Sequence, residues 1–249
     1  MRNLALTLRF DGGAFCGWQR QPNGFTVQQA MEDAVERVTG ARAAVTGCSR
    51  TDAGVHAREY VCNFHTESAL PCEKFLPALN FYLPAAVSVQ ACREAPAEFH
   101  ARYSCIAKTY RYHIHNARVR DPFLLGRALL EPHPLDEAFL RGQAAHFLGA
   151  HDFTAFCAAH AGINPRGKGA VRTVTRFDVE RAGDEVYFYV CADGFLYNMV
   201  RIMAGTLLET ARGRLPEDSI PGILASKDRA RAGYTAPAQG LWLWDVEYN

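Results

Sequence analysis

Residues 43–66, AAVTGCSRTDAGVHAREYVCNFHT, decide how this chain is read. Ala43 to Cys48 and about Glu59 to Thr66 read as two strands, built on the apolar runs Ala43 to Val45 and Tyr60 to Phe64. Arg50-Thr51-Asp52-Ala53-Gly54 is then the turn between them. Asp bonds readily to its own backbone and Gly tolerates positive φ, so both favour a turn. Such a turn carries a charged side chain to the edge of a sheet, where a ligand can reach it. Locally, two readings stand side by side. The segment is a plain connection, or Asp52 is a nucleophile or base whose charge is held by Arg50 or a distant arginine.

Upstream, Leu4, Leu6, Leu8 and Phe10 alternate with Ala5, Thr7 and Arg9, the pattern of a strand with one apolar face. Asp11-Gly12-Gly13 ends it, and a loop with Phe15, Gly17, Trp18, Gln19, Arg20 and Gln21 follows. Thr26 with Gln29 reads as a capping box opening a helix. Val27, Ala30, Met31, Ala34, Val35 and Val38 form its apolar stripe, and Gly40 stops it. Downstream, Glu73 to Tyr82 is helical, with Pro77 limiting it to a few turns, and Val87 to Arg93 is a strand. The order is β-α-β-β-α-β, a split-βαβ arrangement.

The second half repeats that order. Ile106 to Asn116 is a long strand and Leu135 to Leu148 a helix with Asp136 near its start. A long loop runs from His151 to Gly169. Val171 to Glu180 and Glu185 to Cys191 form a hairpin turning at Ala182-Gly183. Phe195 to Ala211 and Pro216 to Ala225 are helices, and Leu241 to Tyr248 is the closing strand. The fold class is α+β, in two halves divided near Pro96 to Cys105: residues 1–102 with the Asp52 turn, and residues 103–249. Helices on one sheet face leave the other free, and a central cleft between two such halves is where a ligand sits.

At 249 residues, 49% of them hydrophobic, the chain reads as soluble and globular and needs no covalent staples. No apolar run reaches the ~20 residues that span a bilayer. The start lacks a signal-peptide core, so a cytoplasmic location is expected. The eight cysteines are scattered without C-x-x-C and read as reduced, mostly buried residues. His113 and His115 share a strand face, but without a third ligand no metal site is expected. The net charge of +1 does not mark a nucleic-acid binder. Any such role requires a local patch, for which Arg166, Lys168, Arg172, Arg176 and Arg181 are candidates; clustering alone equally describes a solvated strand face.

Three further stretches are candidates to join Asp52. Tyr110 and Tyr112 share one face of a strand, either as core or as a platform on which a base stacks. Arg201 lies within the apolar run Met199-Val200-Arg201-Ile202-Met203. It faces solvent or pairs with a carboxylate, since burying it unpaired is very costly. Pairing with Asp52 accounts for both residues at once. The small-residue loop Ala232 to Gly240, leading into Leu241, is either a plain loop or the lining of a pocket.

Taken together, these stretches resemble the tRNA pseudouridine synthase A family. The resemblance rests on F-D-G-x-x-F-x-G-W-Q at Phe10 to Gln19, T-V-Q at Thr26 to Gln28 and R-T-D-A-G-V-H-A at Arg50 to Ala57. It continues through A-L-N at Ala78 to Asn80, A-R-Y-S at Ala101 to Ser104 and Y-R-Y at Tyr110 to Tyr112. H-D-F at His151 to Phe153, V-R-T at Val171 to Thr173, G-F-L-Y-N-M-V-R at Gly194 to Arg201 and T-A-P-A-Q-G-L at Thr235 to Leu241 complete it. The chain departs from the family pattern at Ser49, where glycine is usual, at His100, where an acidic residue is common, and at Tyr197-Asn198, where histidine is frequent.

The resemblance implies two α+β halves sharing an extended, mainly antiparallel sheet. It also implies isomerisation of uridine to pseudouridine at positions 38 to 40 of the tRNA anticodon stem-loop, by a homodimer without a cofactor. A carboxylate must be ionised to act as nucleophile or base, and a nearby Arg201 favours that form. Asp52 and Arg201 are therefore the catalytic candidates. Arg50 is expected to fill the space left by the extruded base, Tyr110 to stack on the uracil, and Leu241 to wall the pocket. Arg166, Lys168 and Arg172 are expected to hold phosphates. Two other functions fit the same halves: an RNA-binding module without catalysis, and a hydrolase with an Asp nucleophile that releases free uracil.

Overall fold

A computed structural model describes residues 1–158 and 169–249. The chain divides into two compact units, Met1–Ile106 with Trp242–Asn249, and Ala107–Leu241. Both are mixed α and β with mostly antiparallel strands.

In the first unit, strand β1 (Arg2–Phe10) lies between β3 (His56–Thr66) and β4 (Val87–Ala95), antiparallel to both, with Leu6 opposite Cys62 on one side and Cys92 on the other. Leu4, Leu6 and Leu8 are fully buried, as their alternation requires. The two-residue strand β2 (Thr46–Gly47) pairs with β3. Helix α1 (Val27–Thr39) packs on α2 (Cys72–Tyr82), and α2 packs on β4. Thr26 caps α1 by accepting Gln29 N–H at 3.2 Å, and Gly40 closes it at φ +73°. Helix α2 runs through Pro77 for 11 residues. Its Asn80 supplies β4 with a substitute ladder: the amide donates to Val89 O at 2.9 Å and accepts Val89 N–H at 2.8 Å.

In the second unit, β5 (Cys105–His115), β9 (Glu185–Ala192), β8 (Val171–Ala182) and β7 (Gly149–Asp152) are antiparallel neighbours in that order. The short β6 (Leu129–Leu130) runs parallel to β5. The β8–β9 hairpin turns at Gly183, φ +63°. Helix α3 (Glu137–Ala145) packs on β8, and α4 (Met199–Ala211) packs on α3. Helix α5 (Ser219–Ser226) lies against β7.

Several elements differ from the sequence expectation. Ala43 to Cys48 yields a strand only at Thr46–Gly47. Helix α4 begins at Met199 rather than Phe195, because Asn198 takes a left-handed conformation, φ 60°. Strands β6 and β7 were not expected. The closing strand β10 (Leu241–Tyr248), assigned to the second half by sequence order, pairs in parallel with β3 of the first unit, Trp242 opposite His56. His113 and His115 both bond to the Glu185 carboxylate, at 2.5 and 2.6 Å. No helix among the described residues is long and apolar enough to cross a membrane.

The second unit contains a buried ion pair. Glu131 is fully buried and contacts the Arg212 guanidinium at the end of α4. It also accepts His133 N–H at 3.0 Å and lies 2.9 Å from His133 Nδ1. Burial alone pushes a carboxyl pKa up, but the Arg212 and His133 hydrogen bonds outweigh it and hold Glu131 below its usual range. A carboxyl lowered on folding stabilises the protein above its unfolded pKa, and that stabilisation fades as pH falls through the folded value. The urea midpoint should therefore drop between about pH 5 and 3. Glu131→Gln should cost about 3 kcal/mol near neutrality by removing the buried charge that Arg212 faces, leaving it only Glu209, and its midpoint should fall less over the same acid range.

Candidate active site

The R-T-D turn is held from beneath by the start of helix α1. The first N–H groups of a helix have no partner within it. Here Val27 N–H donates to Gly17 O at 3.2 Å and Gln28 N–H to Trp18 O at 3.0 Å. Trp18 passes the constraint on, donating its own N–H to Thr51 O at 3.1 Å. Gly17 sits at φ +82°, and a Cβ there would lie 2.7 Å from Thr51 O and 3.2 Å from the Asp52 carbonyl carbon. Only glycine allows that approach. The Gln28 side chain donates to Val45 O at 3.1 Å, which ties the same helix to the segment before β2.

Tyr60 of β3 grips the other side. Its hydroxyl donates to Ser49 O, and its ring stacks on Trp18 with centroids 4.3 Å apart. Gly47 makes room for both: a Cβ there would stand 2.1 Å from the Tyr60 hydroxyl and 2.4 Å from the Trp18 ring. Val55 N–H closes the turn on Asp52 O at 3.2 Å, with Gly54 at φ +82°. Within this frame Thr51 is buried, and its hydroxyl has no hydrogen-bond partner among the described residues. Asp52 is half-buried and Arg50 exposed. The backbone that leads into Asp52 is thus fixed. Just beyond the turn, His56 accepts Gly12 N–H on Nδ1 at 3.0 Å and stacks on Trp242 at 4.3 Å.

In the second unit, Tyr110 and Tyr112 are both buried. Tyr112 is fully buried and donates to Pro237 O at 2.9 Å. Burial drives its pKa up, against the opposing pull of the Arg201 charge. Gly240 lies so close that a Cβ would be 2.7 Å from the Tyr112 ring. Tyr110, two residues earlier on the same face, meets Phe195 edge-on at 5.1 Å. Arg201 is half-buried on α4, with Nε donating to Ala236 O at 2.7 Å and Nη1 to Asn198 Oδ1 at 2.8 Å. These two neutral oxygens orient the guanidinium. The 232–240 loop is docked on α4, with Ala236 N–H on Arg201 O at 3.1 Å and Gly233 N–H on the Thr206 hydroxyl at 2.9 Å. It ends at the buried Leu241.

Asp52 with Arg50 thus belongs to the first unit, and Tyr110, Arg201 and Leu241 to the second. Arg172 is buried and donates to Gly169 O at 3.2 Å and Val171 O at 2.6 Å. Arg166 and Lys168 lie outside the described residues. The sequence reading gave no role to Gly17, Trp18, Tyr60 or Asn198. Glycine immediately before Trp18 was the one local signal of a close approach. Among the described residues no group of three His, Cys, Asp or Glu side chains is placed to hold a metal ion.

A family model described as tRNA pseudouridine synthase matches residues 7–104 and 143–249. The first segment contains Arg50 and Asp52, the second Arg201 and Leu241, and Tyr110 falls between them. The chain is 45% identical over 249 residues to tRNA pseudouridine synthase A of Brevibacillus brevis. It is 43% identical over 248 residues to that of Acetivibrio thermocellus and 42% over 248 to that of Caldicellulosiruptor bescii. In each case 100% of both chains is covered.

The grip on residues 49–51 makes a stability prediction. Tyr60→Phe keeps the ring stack but leaves Ser49 O without its hydroxyl donor. Urea unfolding should show a loss of about 1–2 kcal/mol, with far-UV circular dichroism unchanged.

Proposed function

The chain belongs to the tRNA pseudouridine synthase family, and from that premise we propose that Asp52 is the carboxylate with which it isomerises uridine in the anticodon stem-loop of tRNA. The enzyme is an isomerase acting on tRNA. The observation that carries the assignment is the frame around the turn: Trp18 N–H on Thr51 O and the Tyr60 hydroxyl on Ser49 O fix the backbone that leads into the half-buried Asp52.

Uridine and pseudouridine are isomers. The bond from C1′ to N1 breaks, the uracil turns, and a bond from C1′ to C5 forms; C5 loses a proton and N1 gains one. Asp52 serves as nucleophile or as base at the sugar, and either role requires the ionised carboxylate. Arg201 is assigned the positive charge that favours this form; the support is its fixed orientation and its place in the matched segment.

The target base leaves its stack at a cost of a few kcal/mol. Arg50 takes the vacated space, and Tyr110 stacks on the extruded uracil, worth about 1–3 kcal/mol. Leu241 supplies an apolar wall against which the freed base can turn. Arg166 and Lys168 hold phosphates, so affinity falls with salt; Arg172, expected to join them, is buried with its guanidinium on the Gly169 and Val171 carbonyls. The enzyme works as a homodimer in the cytoplasm, at positions 38 to 40, as the family resemblance implies.

Nucleoside analysis of a tRNA transcript before and after incubation tests the assignment. The parent should convert uridine to pseudouridine, and Asp52→Asn should lower the rate by about 10³-fold or more. An Asp52→Asn variant that converts at the parental rate overturns the role of Asp52. Free uracil among the products would instead indicate a hydrolase, and RNA binding without any change of nucleoside a binding module.

A further inference from the structure

Asn198 stands at the N-cap of α4 and does not cap it. An asparagine in that place ordinarily takes an extended backbone and accepts an N–H of the first turn on its side chain. Thr26 does this for α1, and Asp136 does it for α3, accepting Ala138 and Phe139 N–H at 2.8 and 3.2 Å. Asn198 instead has φ 60° and ψ 7°, and its side chain accepts no N–H of the helix. Glycines aside, only Asp218 and Lys227 among the described residues share a left-handed backbone. That conformation strains any residue with a Cβ, asparagine less than most. The helix start is therefore weakened twice, by strain and by a missing cap, and a fold keeps such faults where they serve a site.

The amide oxygen accepts Arg201 Nη1 at 2.8 Å instead. Ala236 O takes Nε of the same guanidinium at 2.7 Å, and Ala236 N–H donates to Arg201 O at 3.1 Å. A guanidinium is planar, so acceptors on two of its nitrogens set its plane. One of these two acceptors is a main-chain carbonyl of the 232–240 loop; the other is the Asn198 side chain. The left-handed turn also keeps residues 195–198 outside α4. Met199 N–H closes a turn on Leu196 O at 3.1 Å, and Phe195 meets Tyr110 edge-on, centroids 5.1 Å apart.

We propose that Asn198 is a positioning residue for the isomerisation: its amide oxygen aims the Arg201 guanidinium instead of capping α4, and its left-handed turn leaves Phe195 against Tyr110. Asn198 acts through Arg201, so this role rests on the charge role assigned to Arg201 above.

Two variants separate the amide from the backbone. Asn198→Gly takes φ 60° without strain and lacks the oxygen; Asn198→Ala lacks the oxygen and is strained. Asn198→Gly should keep the parental urea midpoint, and Asn198→Ala should fall below it. Single-turnover conversion at saturating tRNA should nevertheless slow equally in both, by about 10–10²-fold, with the dissociation constant for tRNA unchanged. Arg201→Gln should slow conversion at least as much. Asn198→Gly combined with Arg201→Gln should be no slower than Arg201→Gln alone, because the amide then has no guanidinium to aim. Parental conversion by Asn198→Gly, or a double variant whose loss is the product of the two single losses, overturns the role of Asn198. Parental conversion by Arg201→Gln overturns the role assigned to Arg201, and that of Asn198 with it.

Discussion

Helix α1 offers its first unpaired N–H groups to the carbonyls of Gly17 and Trp18, and Trp18 hands its own N–H to Thr51. These three hydrogen bonds connect the most regular element of the first unit to the residue before Asp52. The connection needs a glycine at position 17, because any side chain there would strike the Thr51 carbonyl. It needs Gly47 as well, because the stacked pair of Trp18 and Tyr60 fills the space a side chain would take. A loop is ordinarily the mobile part of a fold. Here the backbone of the loop is pinned on two sides, by Trp18 on Thr51 and by Tyr60 on Ser49.

The second unit applies the same economy to a cation. Arg201 stands on α4, whose other early residues are buried. Its guanidinium is oriented by an amide oxygen one turn back and by a carbonyl of the 232–240 loop. That loop can lie so near α4 because Gly205 and Gly233 carry no side chains; a Cβ on Gly205 would stand 1.9 Å from Tyr234 O. Within T-A-P-A-Q-G-L, Gly240 lies against the Tyr112 ring and the buried Ala236 bonds to the α4 backbone at Arg201 O.

Much of this was legible in the residues. The alternation of Leu4, Leu6 and Leu8 marks β1, Thr26 and Gly40 bracket α1, and Ala182-Gly183 marks the β8–β9 turn, because each depends on neighbours within a few positions. The turn carrying Asp52 was legible for the same reason. What was not legible depends on contacts distant in sequence. β2 spans only two residues, and its Gly47 lies against the rings of Trp18 and Tyr60, which are distant in sequence. The start of α4 is delayed by a left-handed Asn198 whose side chain serves Arg201. Alternation shows which face of β10 is buried but not that its neighbour is β3. The bulk charge of +1 gave no sign of an RNA substrate, and the motif set did.

The central claim is that the backbone grip on Thr51 and Asp52 positions the reacting carboxylate. Gly17→Ala tests it most directly, in single-turnover conversion of uridine at saturating tRNA. Displacement of a catalytic group by about 1 Å costs on the order of 10²-fold in rate. The account predicts a fall of about that size with the dissociation constant for tRNA unchanged. A Gly17→Ala enzyme that converts tRNA at the parental rate would contradict it.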